Sequence, residues 1–242
     1  MNIFRKVLLF LPRLLYKKFH KSVFSDTIES LKFDILKLST RLRTNRMYKN
    51  YLKKNTLIPK KLHFGCGTRL VTSWLNIDLL NSDIDVDFTV GKLPLFHDEY
   101  FDRISTQHVV EHLDMNKELP EIFNEFYRIL KPSGILWISC PCIKKIASSY
   151  LLDKGKTLVE GRKSRFPDYS TNGFPNTVII NELFHQSGSH KNLFDYDLLS
   201  FMLRKAGFEK IFESNIEEFT KDHQDFPARP DAEQTLYVKA IK

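Results

Sequence analysis

Apolar positions along this chain change their rhythm near residue 61. Ahead of that point, residues 2–19 place apolar side chains at 3, 7, 10, 14 and at 4, 8, 11, 15, two neighbouring stripes of one helix ringed by Arg5, Lys6, Arg13, Lys17 and Lys18. The unbroken apolar run 7–11 stops at Pro12 and Arg13, far short of the roughly 20 residues that span a bilayer, and no small-residue cleavage site follows it. A basic amphipathic helix is predicted there, neither a membrane span nor an export signal. A second helix is predicted from Asp26, where Glu29 completes a capping box, with Ile28, Leu31, Ile35, Leu38 and Leu42 at alternating three- and four-residue steps. Two heptads are short for a coiled coil, so this seam is expected to dock on its own domain rather than on a second copy. Residues 43–61 are polar and basic, contain Pro59, and read as a linker.

From residue 61 onward, short apolar runs alternate with helical segments, the pattern of a parallel α/β sheet. Strands are predicted at 61–64, 74–77, 84–88, 101–105 and 135–139. Between the last two, residues 118–130 carry Leu119, Ile122, Phe123, Phe126, Ile129 and Leu130 on one helical face, and Lys131-Pro132-Ser133-Gly134 ends that crossover helix. Residues 144–192 show no firm period. A helix over 195–205 and strands over 208–212 and 235–241 complete the chain. The organisation is a helical extension over 1–60 and one domain over 61–242.

Composition sharpens this picture in two ways. The chain has 242 residues, of which 42% are hydrophobic, enough for one domain with a full core. Its net charge of +8 is unevenly placed: residues 1–61 hold 16 Lys and Arg against 3 Asp and Glu, and the remainder holds 21 against 26. A mildly acidic body argues against nucleic-acid binding, which builds its basic face into the fold. Cys66, Cys140 and Cys142 cannot pair into a disulfide framework and lack the second Cys/His pair of a structural zinc site, so no metal is expected and a reducing, cytoplasmic setting fits.

Candidate chemistry begins where the first strand runs into His63-Phe64-Gly65-Cys66-Gly67-Thr68, a glycine turn that lets backbone approach a ligand. Asp78 ends the next strand, where a carboxylate can accept both hydrogen bonds of a ribose diol. Asp87 ends the third. Then follow Leu93-Pro94, Gln107-His108-Val109-Val110-Glu111-His112 and Leu130-Lys131-Pro132-Ser133-Gly134.

In these motifs, taken in order, residues 61–242 resemble class I S-adenosylmethionine-dependent methyltransferases. The compact series is similar to small stand-alone methyltransferases of bacterial surface-glycan biosynthesis. The resemblance implies a Rossmann-like sheet with helices on both faces, and S-adenosylmethionine as cofactor. Gly65, Cys66 and Gly67 would line its methionine part, Asp78 would hold the ribose hydroxyls, Asp87 and Phe88 would flank the adenine, and Gln107 and His108 would lie by the transferable methyl. Two departures stand out: His63 replaces the usual acidic residue, and Thr68-Arg69-Leu70 stands where a third glycine is usual. Only 11 residues lead from Gly67 to Asp78, so the first helix is expected to be a turn or two at most.

A methyl on a sulfonium is already activated, so a hydroxyl acceptor needs positioning and a base. His108 is the first candidate and His190 the second; His112 is expected to pack or cap, and His185 is left open. The 161–166 stretch, Gly-Arg-Lys-Ser-Arg-Phe, is either a solvated loop or a clamp for an anionic acceptor. The cysteines are read as packing residues. The expected activity is O-methylation of a sugar or glycan precursor. Another small metabolite or a lipid as acceptor, or a non-catalytic scaffold of a glycan-assembly complex, are the alternatives. Residues 1–56 are expected to meet an anionic membrane face or a glycan-assembly protein, and to be dispensable for the cofactor.

Overall fold

A computed structural model describes residues 25–55, 57–227 and 229–242, with backbone alone over 25–29. The amphipathic pattern predicted over 2–19 lies outside the described residues. Seven strands form one sheet: β1 (Lys61–Phe64), β2 (Leu75–Asp78), β3 (Ile84–Asp85), β4 (Phe101–Gln107), β5 (Leu130–Pro141), β6 (Lys210–Ser214) and β7 (Thr235–Ile241). Their order is β3-β2-β1-β4-β5-β7-β6. The first five strands are mutually parallel, whereas β7 runs antiparallel between β5 and β6. The sheet is therefore mixed rather than parallel throughout, on a Rossmann-like fold.

Strands covered on both faces must be apolar on both, and Leu62, Phe64, Leu75, Ile77, Ile104, Leu136 and Ile138 are all fully buried. Helix α2 (Glu118–Ile129) lays Leu119, Ile122, Phe123, Phe126 and Ile129 into this core, as its period predicts. The Phe64 ring stacks on Phe88 at 3.8 Å and meets the edge of Phe126 at 4.8 Å. Each such buried ring contributes roughly 1.5–3 kcal/mol. The chain leaves β1 toward β2 and β3 on one side and returns to β4 and β5 on the other. That reversal opens a crevice at the carboxyl ends of β1, β2 and β4.

Several predicted boundaries move, for local reasons. The third strand stops at Asp85 because the Asp87 side chain accepts the Thr89 N–H and opens a 3-10 turn, Phe88–Val90, which Gly91 closes at φ 70°. Strand β5 starts at Leu130, not 135, because Leu130 pairs with Phe101 and Ser133 N–H donates to Lys242 O. Turns alone join Gly67 to β2, with no helical residue between them. The stretch without period holds three helices, Ile143–Asp153 (α3), Lys156–Arg165 (α4) and Val178–His185 (α5). They share a small separate core of Ile146, Leu158, Val159, Ile179 and Leu183, too few buried positions per helix to register as a period. Helix α6 (Tyr196–Lys205) is capped by the Asp195 side chain, and α7 (Ile216–Asp222) was not anticipated.

The amino-terminal helix α1 runs over Ser25–Lys54, so 43–54 is helix and not linker. It docks through Met47, Tyr48 and Tyr51 against the main core and, earlier in the helix, through polar groups: Thr40 Oγ1 donates to Leu79 O at 3.1 Å, Thr44 Oγ1 to Asp85 O at 2.8 Å, and Arg43 and Arg41 each lie 2.6 Å from Asp85 and Asp87, respectively. The apolar seam expected to dock faces away, with Leu31, Leu38 and Leu42 exposed by 47%, 55% and 75%. The edge of the sheet at β3 presents carbonyls and carboxylates, and a cationic, hydroxyl-bearing face complements them better than leucines do. Among the described residues, no helix is long and apolar enough to cross a membrane.

Candidate active site

A cleft of about 1920 Å³ opens at the carboxyl ends of β1, β2 and β4. Every site residue expected from sequence lines it: Gly65, Cys66, Gly67, Asp78, Asp87, Phe88, Gln107, His108 and His190. Gly65 and Gly67 both have positive φ, 73° and 54°, but serve different ends. A Cβ on Gly65 would lie 2.1 Å from Val109 Cγ2, whereas one on Gly67 would meet nothing within 4 Å and would project into open space. The first glycine is demanded by packing, and the second keeps backbone accessible.

Asp78 is anchored by that turn. Its Oδ2 accepts the Gly67 N–H at 2.7 Å and its Oδ1 accepts the Leu79 N–H at 2.6 Å. One lone pair on each oxygen is left over, and Asp78 makes no ion pair among the described residues, which suits the two hydroxyls of a ribose. Burial raises its pKa from the ordinary value, against the pull of the two backbone donors. Asp87 is placed as expected but its carboxylate is already engaged, Oδ2 by Arg41 and Oδ1 by Thr89 N and Oγ1. Phe88 turns its ring onto Phe64. The end of the cleft beside Asp87 is bordered by α1, through Ser30, Phe33, Asp34 and Lys37.

His63 is buried, with Nδ1 3.2 Å from Asn76 Oδ1, and burial lowers its pKa to about 4, so it stays neutral. Cys66 is buried as a thiol, its pKa pushed up by burial to about 12, and burial also pushes Cys140 well above its ordinary value. Neither is a nucleophile. Gln107 accepts from Arg69 Nη1 at 3.0 Å, and Arg69 also donates to Pro227 O. The 161–166 stretch is helix α4 rather than a loop; Arg165 is spent on Glu233, while Arg162 lines the cleft.

The two candidate bases differ sharply. His108, at φ 55°, lies between two buried carboxylates, with Nδ1 3.3 Å from Glu111 Oε1 and Nε2 3.1 Å from Asp231 Oδ2. Burial lowers its pKa, but Asp231 and Glu111 outweigh that and raise it above the ordinary value. Both ring nitrogens of His108 face carboxylates, so neither is free to face an acceptor hydroxyl in this arrangement. His190 is the opposite case. Its Nδ1 is 2.6 Å from Leu183 O and therefore carries the proton, and burial lowers its pKa. A neutral ring with its Nε2 lone pair available is what a base requires.

Sequence reasoning passed over Arg69, Glu111, Arg229 and Asp231. Glu111 stood in a quoted motif beside His112, but its burial was not legible. Asp231, which holds His108 and pairs with Arg229 at 2.5 Å, comes from a loop remote in sequence with no pattern to mark it.

Residues 81–138, from just before β3 to most of β5, match the family model described as a methyltransferase domain. No curated protein matches the chain. Among solved structures, it is similar to an S-adenosylmethionine-dependent methyltransferase from Archaeoglobus fulgidus, at 17% identity over 84% of this chain and 94% of that one, with a TM-score of 0.47. It is also similar to a possible histamine N-methyltransferase from Thermotoga maritima, at 16% identity over 90% and 98%, with a TM-score of 0.42. Residues 81–138 thus carry a methyltransferase-domain match, set within a sheet of Rossmann-like order. The open backbone at Gly67 and the anchored Asp78 carboxylate fit the S-adenosylmethionine expected from the sequence motifs.

Proposed function

We propose that this enzyme transfers a methyl group from S-adenosylmethionine to a hydroxyl of a sugar or glycan precursor. The observation that carries the reading is the neutral His190 ring, whose Nε2 lone pair lies in the same cleft as the glycine turn and Asp78. An amine acceptor brings its own lone pair, whereas a hydroxyl profits from a base. When bound, S-adenosylmethionine supplies an electrophilic methyl on a positive sulfur, and in-line displacement leaves neutral S-adenosylhomocysteine. Asp78 orients the ribose, Gly67 admits the chain of the cofactor, and His190 Nε2 takes the acceptor proton as the new carbon–oxygen bond forms. The fixed charges around His108 keep that end of the cleft polar, and Arg162 offers a contact for a phosphate on the acceptor.

With a hydroxyl acceptor in hand, His190→Ala is expected to lower turnover by on the order of 100-fold while cofactor affinity is kept. Wild-type turnover in His190→Ala would remove this histidine from the chemistry. The basic extension over 1–60 supports contact with an anionic membrane face or a glycan-assembly protein at the cytoplasmic side. Flotation with anionic liposomes that survives removal of 1–56 would sink the membrane form of that reading.

A further inference from the structure

We propose that Glu111, His112 and His190 form a binding site for one divalent transition-metal ion at the acceptor end of the cleft. Each offers one ligand atom, and the three atoms lie within 4.8 Å of one another. Glu111 is the second, independent pointer: its side chain is 1% exposed, its Oε1 has His108 Nδ1 at a long 3.3 Å, and its Oε2 has no hydrogen-bond partner. A buried carboxylate oxygen left so is costly unless a cation or a further donor meets it. The neighbouring His108 stands on the other side, at 3.3 Å, as an outer donor that leaves Oε2 without any partner.

Both histidines are prepared for the same role. His112 Nδ1 is 3.0 Å from Ser189 O and His190 Nδ1 is 2.6 Å from Leu183 O, so each ring spends its Nδ1–H on a backbone carbonyl and keeps Nε2 as a lone pair. That is how proteins fix the tautomer and orientation of metal-ligating imidazoles. His190 Nε2 lies 4.0 Å from Glu111 Oε1, and the two rings are 4.9 Å apart at 55°. The loops that carry them are strapped together, for the Lys191 and Asn192 N–H groups both donate to Glu111 O, at 2.8 and 3.2 Å. Ligands about 2.1 Å from a tetrahedral ion stand about 3.4 Å apart, so a pair as wide as 4.8 Å must close by about 1.4 Å. Side-chain rotation within a fixed loop frame can do this.

Two imidazoles and one carboxylate suit zinc, cobalt or manganese rather than the all-oxygen preference of magnesium and calcium. Three protein ligands leave an open position, and on the acceptor reading above, that position faces the substrate hydroxyl. An ion there would draw in the acceptor oxygen and ease loss of its proton to water, with both Nε2 lone pairs then serving as ligands instead of bases.

The test uses the untagged full chain, freed of metal with a chelator and titrated with cobalt(II) alone, followed by visible absorption and calorimetry. One equivalent is expected to bind with tetrahedral or five-coordinate cobalt bands, and zinc is expected to displace it. Outer-shell losses alone cost about 10–100-fold in affinity, so His112→Gln and His190→Gln should each weaken binding by at least tenfold. Both variants are expected to keep the metal-free melting temperature and S-adenosylmethionine affinity of the parent. Absence of saturable cobalt or zinc binding by folded parent protein, or equal affinity in both variants, would overturn the site. Cofactor binding in the same samples separates the two readings: an intact cofactor isotherm without metal sinks only the ion site, and metal binding without cofactor sinks only the proposed reaction.

Discussion

Replacing Asp78 with alanine tests the cofactor site at its most constrained point. The side chain takes two backbone N–H groups, from Gly67 at 2.7 Å and Leu79 at 2.6 Å, and keeps one lone pair per oxygen for a ligand diol. A hydrogen bond to a charged group is worth about 1.5–3 kcal/mol, so loss of even one ribose contact lowers affinity roughly 10- to 100-fold. The cost to folding is smaller, about 1 kcal/mol, because water can replace Asp78 at the exposed Gly67 N–H. Asp78→Asn keeps the shape and one acceptor oxygen and is expected to fall between parent and alanine. Calorimetry with S-adenosylmethionine and S-adenosylhomocysteine, beside thermal melts, reads both quantities. Burial raises the Asp78 pKa, so parent affinity should fall on acidification sooner than an ordinary carboxylate predicts, and the asparagine variant should lack that limb. Affinity within twofold of the parent in Asp78→Ala, at an unchanged melting temperature, would refute the assignment.

The two glycines of the turn separate packing from binding. Gly67→Ala is expected to cost about 1–2 kcal/mol of stability from its positive φ and to abolish most cofactor binding, while Gly65→Ala, driven into Val109, should fail chiefly by destabilising the fold; equal cofactor affinity in folded Gly67→Ala would count against it. Stability should also fall as pH drops from 6.5 toward 4, because His63 and His223 are buried neutral with pKa values lowered by burial to about 4. The folded state resists their protonation while the unfolded chain does not, a loss of about 3 kcal/mol each at the acid end. His108 acts in the opposite sense, since its raised pKa contributes stability at low pH that is lost as pH rises. His223→Phe, which keeps the stack on Phe219 at 4.0 Å, should flatten the acid limb; a melting curve as steep as the parent's would exclude His223 as a cause.

Much of the scaffold was legible locally. Strands β1 and β7 and helix α2 fall where apolar runs and a single helical face put them, because burial on two sides or one leaves a period in the sequence. The glycine turn and Asp78 were equally readable, since positive φ demands glycine and a strand-end carboxylate sits at a known place in a parallel sheet. What the chain alone left undecided depends on neighbours brought from afar. His108 and His190 look alike as residue types, yet Asp231, supplied by the loop before β7, occupies Nε2 of the first, and the carbonyl of Leu183 takes the Nδ1–H of the second and leaves its Nε2 open. Helix α1 carries a leucine seam that sequence reasoning turned inward, and the carboxylates of Asp85 and Asp87 at the sheet edge turned outward by binding its arginines. Local pattern encodes which face of an element is apolar. Protonation, pairing and the choice of docking face are set by the electrostatic environment that only the assembled fold creates.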